Sequence, residues 1–268
     1  MIEFLEIFSY PFAVRALIAG SLISICASVL GVILVLKHYS LIGHGLSEIG
    51  FASLSIASAL KIPVMMIATP SVITASFVIM FVSQKFKTAG DVAIAIASSF
   101  ALALGIAVSS LTGGGASMNT FLFGSVLAVS EGDLIFSVIL SLSVMIIFVI
   151  FYNRIFLTAY NEDYARSLGI NTTLYQFIIS ILTALIIVSG MRITGTLLIS
   201  GVIILPAVAA KNLTTRGFKT LVIISGVISL IAFISGLIIS FFLNIPAGSG
   251  VILSNTAILI LTKIQKGK

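Results

Sequence analysis

From Pro11 to Leu36 the chain carries one charge, Arg15, and otherwise apolar residues interrupted only by two glycines and three serines. That run is followed by others of the same kind, at 64–82, 92–111, 134–151 and 221–243. A span needs about 20 apolar residues to cross the hydrocarbon layer. Inside that layer every backbone N–H and C=O must find a partner within the protein, which leaves closed barrels and α-helices. A barrel strand would show short alternating segments; these runs are long and unbroken. The fold class is therefore all-α, a polytopic helical bundle embedded in a lipid bilayer.

Composition agrees. Hydrophobic residues make up 59% of the 268 positions and charged residues 8%, against roughly a quarter charged in soluble chains. The net charge of +6 would suggest nucleic acid in a soluble protein; here it has another use. Dividing the chain at its polar breaks yields about eight or nine spans: 11–36, 43–60, 64–82, 92–111, 134–151, 174–189, 193–210 with Pro206 inside, 221–243 and 251–261. The apolar stretch 118–129 is too short to cross and reads as re-entrant or interfacial. Met191-Arg192 reads as a tight turn. With Lys37 placed inside, the cytoplasmic loops receive Lys37, Lys85, Lys87, Arg154, Arg166, Lys211, Arg216, Lys219, Lys263, Lys266 and Lys268, and only Arg15, Lys61 and Arg192 fall outside. This asymmetry predicts an N-outside, C-inside topology. The first ten residues carry Glu3 and Glu6 but no base, unlike a signal peptide, so a chain without a cleaved leader is expected. One transmembrane domain, 1–268, accounts for the whole length.

Chemistry is sparse. The sequence has no Gly-x-x-x-x-Gly-Lys-Ser/Thr loop, the device that cradles nucleotide phosphates. It has no Gly-x-Ser-x-Gly elbow and no His-Glu-x-x-His helix, and Asp91 and Asp133 at span ends offer weak support for an aspartyl protease. Two residues remain. His44 and Glu48 are four apart in 40-SLIGHGLSEIGF-51, so on a helix they share one face. An imidazole and a carboxylate together suit a borderline divalent metal such as zinc, manganese or iron. Ser47 adds a weaker oxygen donor, and Gly43, Gly45 and Gly50 would let neighbours approach closely. Two protein ligands do not close a metal site; a second copy of the pair or water would complete it. The alternative is a polar pair solvated at headgroup level with no ligand.

Other polar residues have plainer readings. His38 reads as interfacial, Met65-Met66 and Cys26 as packing, and Asn119 and Asn255 as hydrogen-bonders between helices. The polar stretch 153–173 differs: Asn161 is suited to cap a short helix, Glu162 and Asp163 to occupy its first turn, and Gly169 to end it. With Tyr160, Tyr164 and Arg166, such a helix would offer a handle for a partner protein, or serve as a solvated connector.

Several stretches, in order, resemble the permease subunits of ATP-binding-cassette (ABC) importers for zinc, manganese and iron: 11-PFAVRAL-17, 31-GVILVLK-37, 121-FLFGSVLA-128, 160–169, 195-GTLLISGVIILPA-207 and 245-IPAGSG-250. Gly43 to Glu48 stands where that family has an Asp-x-Leu-Ser-His motif, with histidine and acid exchanged. The resemblance implies a homodimer in the bacterial plasma membrane, ABC ATPase subunits that hydrolyse ATP beneath it, and an extracytoplasmic metal-binding protein above it. It implies that His44 and Glu48 line the metal path, and that the 153–173 loop, through Asn161, Glu162, Asp163, Tyr164, Arg166 and Gly169, couples to the ATPase. On this reading the chain is no enzyme and holds no permanent cofactor. Two rivals remain: a permease for a metal chelate such as a siderophore or cobalamin, and a secondary cation transporter working alone.

Overall fold

The computed structural model describes residues 11–37, 39–85, 90–112, 115–125, 130–214 and 217–266. Among them are twelve helices and no strand. In chain order these are α1 (Pro11–Leu36), α2 (Ser40–Leu60), α3 (Val64–Lys85), α4 (Gly90–Leu111), α5 (Gly115–Phe123), α6 (Glu131–Ile150), α7 (Tyr152–Tyr160), α8 (Glu162–Ser167), α9 (Thr172–Thr194), α10 (Ile199–Leu213), α11 (Phe218–Leu243) and α12 (Ala247–Lys266). Seven of them, α1, α3, α4, α6, α9, α11 and α12, are long and apolar enough to cross a membrane. The more polar α2 and the shorter α10 pack among these.

Helices apolar all round are either buried in protein or face lipid, and both kinds occur. The spans in α1 and α9 are 72% buried, while those in α3, α4 and α6 are 28% buried. So α1 and α9 form the axis and the others a shell with lipid-facing rows such as Ile135, Ile139, Leu142 and Ile146. Hydroxyls stitch the axis to the shell: Ser225 and Ser229 on α11 donate to the carbonyls of Ser28 and Ser24 on α1, and Ser180 on α9 donates to Ser76 on α3. In an apolar medium such bonds replace the hydrophobic drive that lipid removes.

Several boundaries depart from the sequence reading, each for a physical reason. Met191-Arg192 is no turn; α9 runs on to Thr194 because the Arg192 guanidinium is neutralised by Asp133 at the start of α6. The break comes instead at Gly195–Leu198, so 193–210 is not one span. Gly195 (φ +87°) and Gly124 (φ +74°) both adopt backbone conformations that favour glycine, and a Cβ on either would strike the other segment's backbone. There Thr196 and Leu197 N–H donate to the carbonyls of Phe121 and Leu122, at 2.9 and 3.3 Å. The short apolar stretch forms only the nine-residue helix α5, ending at Phe123; 126–129 lies outside the described residues. The last helix starts at Ala247, not Val251, because Gly248 and Gly250 let its first turn press against Thr194 and Gly236. Asn255 does not bridge helices: its Nδ2 donates to Val251 of its own helix, and its Oδ1 is buried without a partner.

The bundle thus has two distinct ends. One carries two ion pairs, Arg15–Glu131 and Arg192–Asp133, beside the Gly124–Gly195 crossing. The other carries Lys37, α7, α8 and an aromatic cluster of Tyr152, Phe156 and Phe218.

Candidate metal path and coupling surface

Tyr39 stands between α1 and α2: its N–H donates to Leu34 and its carbonyl accepts from Ile42, turning the chain within three residues. The reversal puts His44 in the second turn of α2. Its Nε2 lies 3.3 Å from Glu48 Oε1, so the pairing expected from i,i+4 spacing is formed. The two groups differ in surroundings. The imidazole is 47% exposed and the Glu48 side chain 7%. Glu48 Oε2 is shut in by protein with no hydrogen-bond partner. A buried carboxylate oxygen left unpaired is costly, and that is the chemistry of a group suited to a cation. Ser47 is fully buried and donates its hydroxyl to the His44 carbonyl at 2.7 Å, leaving its oxygen lone pairs as the only donors it could offer a metal.

The depth of the pair follows from its neighbours. Ile203 on α10 lies 3.9 Å from the position of a Cβ on Gly43, and the Ile203 carbonyl abuts Gly31. Gly31 is six residues before Lys37, about 9 Å along α1, so this part of α2 lies within the bundle rather than at its rim. Gly45 lets Ile94 of α4 press against α2 beside the pair. Among the described residues no third His, Cys, Asp or Glu joins His44 and Glu48. Within one chain, therefore, the set is one nitrogen and one carboxylate, open on the side where His44 is exposed.

The second expected site also forms as a unit. Asn161 Oδ1 accepts from the Tyr164 N–H at 3.0 Å and caps α8. Glu162 and Asp163 occupy the first turn, and Gly169 (φ +77°) follows the helix end. Tyr160, Tyr164 and Leu168 are exposed while Ala165 is buried, so α8 lies with one face on the bundle and an aromatic face outward. Glu162 turns inward. Its Oε1 accepts from Arg166 Nη2 at 2.6 Å, and its Oε2 from Gln176 Nε2 of α9 at 2.6 Å. Arg166 Nε also donates to Thr172 at 3.0 Å.

The two sites do not touch. Sequence reasoning missed the residue that lies between them. Lys37, read there only as an orientation signal, has its side chain 6% exposed and its Nζ 3.7 Å from Glu162 Oε2. A lysine at a span end ordinarily reaches for water, so no local pattern distinguishes this one. The ion pairs at the opposite end were also unforeseen, although Ser130-Glu-Gly-Asp133 carries a capping-box signature: Ser130 Oγ accepts from the Asp133 N–H, and Asp133 accepts from the Ser130 N–H.

Comparison with known proteins places this arrangement. The permease protein ScaB of a manganese import system in Streptococcus gordonii is 28% identical over 97% of this chain and 94% of its own. A membrane protein of Haemophilus influenzae, named for an iron transport system, is 27% identical over 96% of this chain and 90% of its own. Among solved structures, PsaBC from Streptococcus pneumoniae in complex with Fab superposes with a TM-score of 0.88 at 26% identity, covering 98% of this chain and 95% of that one. The model of the ABC 3 transport family matches residues 9–266. With helices that match those of a solved relative nearly end to end, and a family model that spans almost every residue, this multi-pass protein of the bacterial plasma membrane belongs to the ABC 3 transport family.

Proposed function

We propose that this chain is the permease subunit of an ATP-driven importer of divalent transition metals, with manganese or iron as cargo. The observation that carries the reading is the His44–Glu48 pair, 3.3 Å apart inside the bundle with one carboxylate oxygen unpaired. The names of the manganese and iron relatives support it. One imidazole and one carboxylate make an incomplete shell that manganese, iron and zinc all accept. An incomplete shell suits transport, because the ion must also leave.

His44 faces outward from the single chain, which supports a homodimer whose two His44–Glu48 pairs face one another and share the ion. The distribution of basic residues favours Lys37, α7 and α8 on the cytoplasmic side, with the N-terminus outside. There the exposed face of Tyr160, Tyr164 and Leu168 would meet an ABC ATPase subunit. The segment 153–173 would transmit its motion, through Asn161, Glu162, Asp163, Tyr164, Arg166 and Gly169. The opposite end, with Glu131 exposed, would receive an extracytoplasmic metal-binding protein. ATP hydrolysis in the partner would drive alternating access of the pair to the two sides.

Uptake of manganese, iron and zinc is to be measured in cells co-expressing the chain with its ATPase and binding protein. His44→Ala and Glu48→Ala are compared at matched membrane levels. ATPase-dependent accumulation that both substitutions abolish is the expected result. Accumulation that persists in both would remove the pair from the metal path.

A further inference from the structure

We propose that Lys37 is the positioning residue through which α8 moves α2, its buried ammonium linking Glu162 to the turn that leads into α2 and its His44–Glu48 pair. The proposal rests on the importer reading above and names a residue in its coupling.

The link is short at every step. Glu162 is the first residue of α8, and its Oε2 stands 3.7 Å from Lys37 Nζ. At that distance the charges attract, but no hydrogen bond is formed. The same ammonium lies 5.6 Å from the centre of the Tyr39 ring, within the range of cation–π attraction. Tyr39 is the residue on which α1 reverses into α2, and Ser40 begins the helix that holds His44 four residues on. A shift of α8 therefore acts on an ammonium seated against the pivot of α2. The other tether of Glu162 runs to Gln176 on α9, one of the two central helices. So α8 is held to α9 by hydrogen bonds through Gln176 and Thr172, and has one looser charge contact to Lys37, at the end of α1 where the chain turns into the helix that carries the metal ligands.

Burial makes the assignment specific. With its side chain 6% exposed, Lys37 is too enclosed to meet an ATPase subunit itself; any effect on ATP-driven transport must pass through the fold. A buried ion pair is also a poor way to gain stability, because desolvation offsets attraction, whereas fixing a register or biasing a switch is its best-attested use. The slack of 3.7 Å leaves the pair room to close in one state and open in another.

The test uses the assembled transporter, permease with ATPase subunit and binding protein, in liposomes with manganese as the probe. Manganese carried per ATP hydrolysed is measured for wild type, Lys37→Gln, Lys37→Arg, Glu162→Gln and the Lys37→Gln/Glu162→Gln double variant. Lys37→Gln is expected to co-purify with the ATPase subunit and to hydrolyse ATP at the basal rate. Its manganese carried per ATP should fall by about tenfold, within the range of coupling between sites. Lys37→Arg should keep most of the coupling, and the double variant should be no worse than the worse single one, as expected for one shared interaction. Unchanged manganese per ATP in Lys37→Gln, or losses that multiply in the double variant, would overturn the link. If Lys37→Gln fails to accumulate in the membrane, Glu162→Gln decides: undiminished coupling there overturns the link as well. A wild-type transporter that hydrolyses ATP and carries no metal removes the importer reading and the inference with it. A working wild type beside an undiminished Lys37→Gln removes the inference alone.

Discussion

His44 Nε2 and Glu48 Oε1 lie 3.3 Å apart on one face of α2, yet the imidazole is half exposed and the carboxylate is shut in. The pair therefore presents a fixed oxygen and an accessible nitrogen. If only the donor set matters, exchanging the two residues leaves a usable set. His44→Glu combined with Glu48→His should retain measurable uptake, while either change alone should reduce it by at least about tenfold, the effect of losing roughly 1.4 kcal/mol of ion stabilisation. Metal uptake at matched membrane levels checks this. A double variant as inactive as the singles would show that the enclosed position requires a carboxylate.

Lys37 yields a pH dependence with two opposite signs. Burial, opposed by the Glu162 carboxylate and helped slightly by the Arg166 guanidinium, brings its amine down from 10.5 to about 8. Tyr39, Gln176, Ser180 and Thr183 line the same recess. Between about 8 and 10.5 the unfolded chain holds the proton that the folded chain has lost, so this group's contribution to stability rises with pH across that window. Over the same window the ammonium that attracts Glu162 disappears. Transport per ATP should thus fall as the pH on the Lys37 side passes 8 while thermal stability does not. Lys37→Arg, which keeps its charge, should flatten the transport profile.

Asn161 closes α8 through a single side-chain bond to the Tyr164 N–H. Asn161→Ala should cost about 1 kcal/mol of local helix stability. Because α8 has only six residues, that loss should appear as faster amide exchange at 162–167 and as weaker co-purification with the ATPase subunit, with little change in the global melting temperature.

Gly195 and Gly169 both have positive φ, but only Gly195 has backbone where a Cβ would go. Gly169→Ala should therefore cost about 1 kcal/mol from conformation alone. Gly195→Ala should cost more, because the Phe121–Gly124 segment must also move. Melting in detergent measures both; equal losses would mean that the crossing yields without resistance.

Much of this molecule could be read from the chain because membrane helices obey one rule, the internal pairing of their backbone. The run from Pro11 to Leu36 is α1 residue for residue. The i,i+4 spacing of His44 and Glu48, the cap at Asn161 and the stop near Gly169 are local features, and local features survive folding. What escaped was of two kinds. Lys37 and Glu162 meet across a long separation, and a lysine after an apolar run looks the same whether it reaches for water or turns inward. Arg192 looked like the end of a helix because its charge had no visible partner; Asp133, which neutralises it, lies on another helix. Gly195 stood inside an apolar stretch that hid the break it makes.

The crossing at Gly124 and Gly195 is made mostly of main chain, the Thr196 and Leu197 amides meeting the Phe121 and Leu122 carbonyls, with one side-chain bond from the Thr196 hydroxyl to Phe121. That contact is consequently insensitive to most changes of residue identity around it, so long as the Arg192–Asp133 pair holds the end of α9. Substitutions can accumulate on the neighbouring surface while that contact persists, provided Gly124, Gly195 and Gly248, each with backbone where a Cβ would go, stay glycine. The frame and the outer surface of that end are separately adjustable.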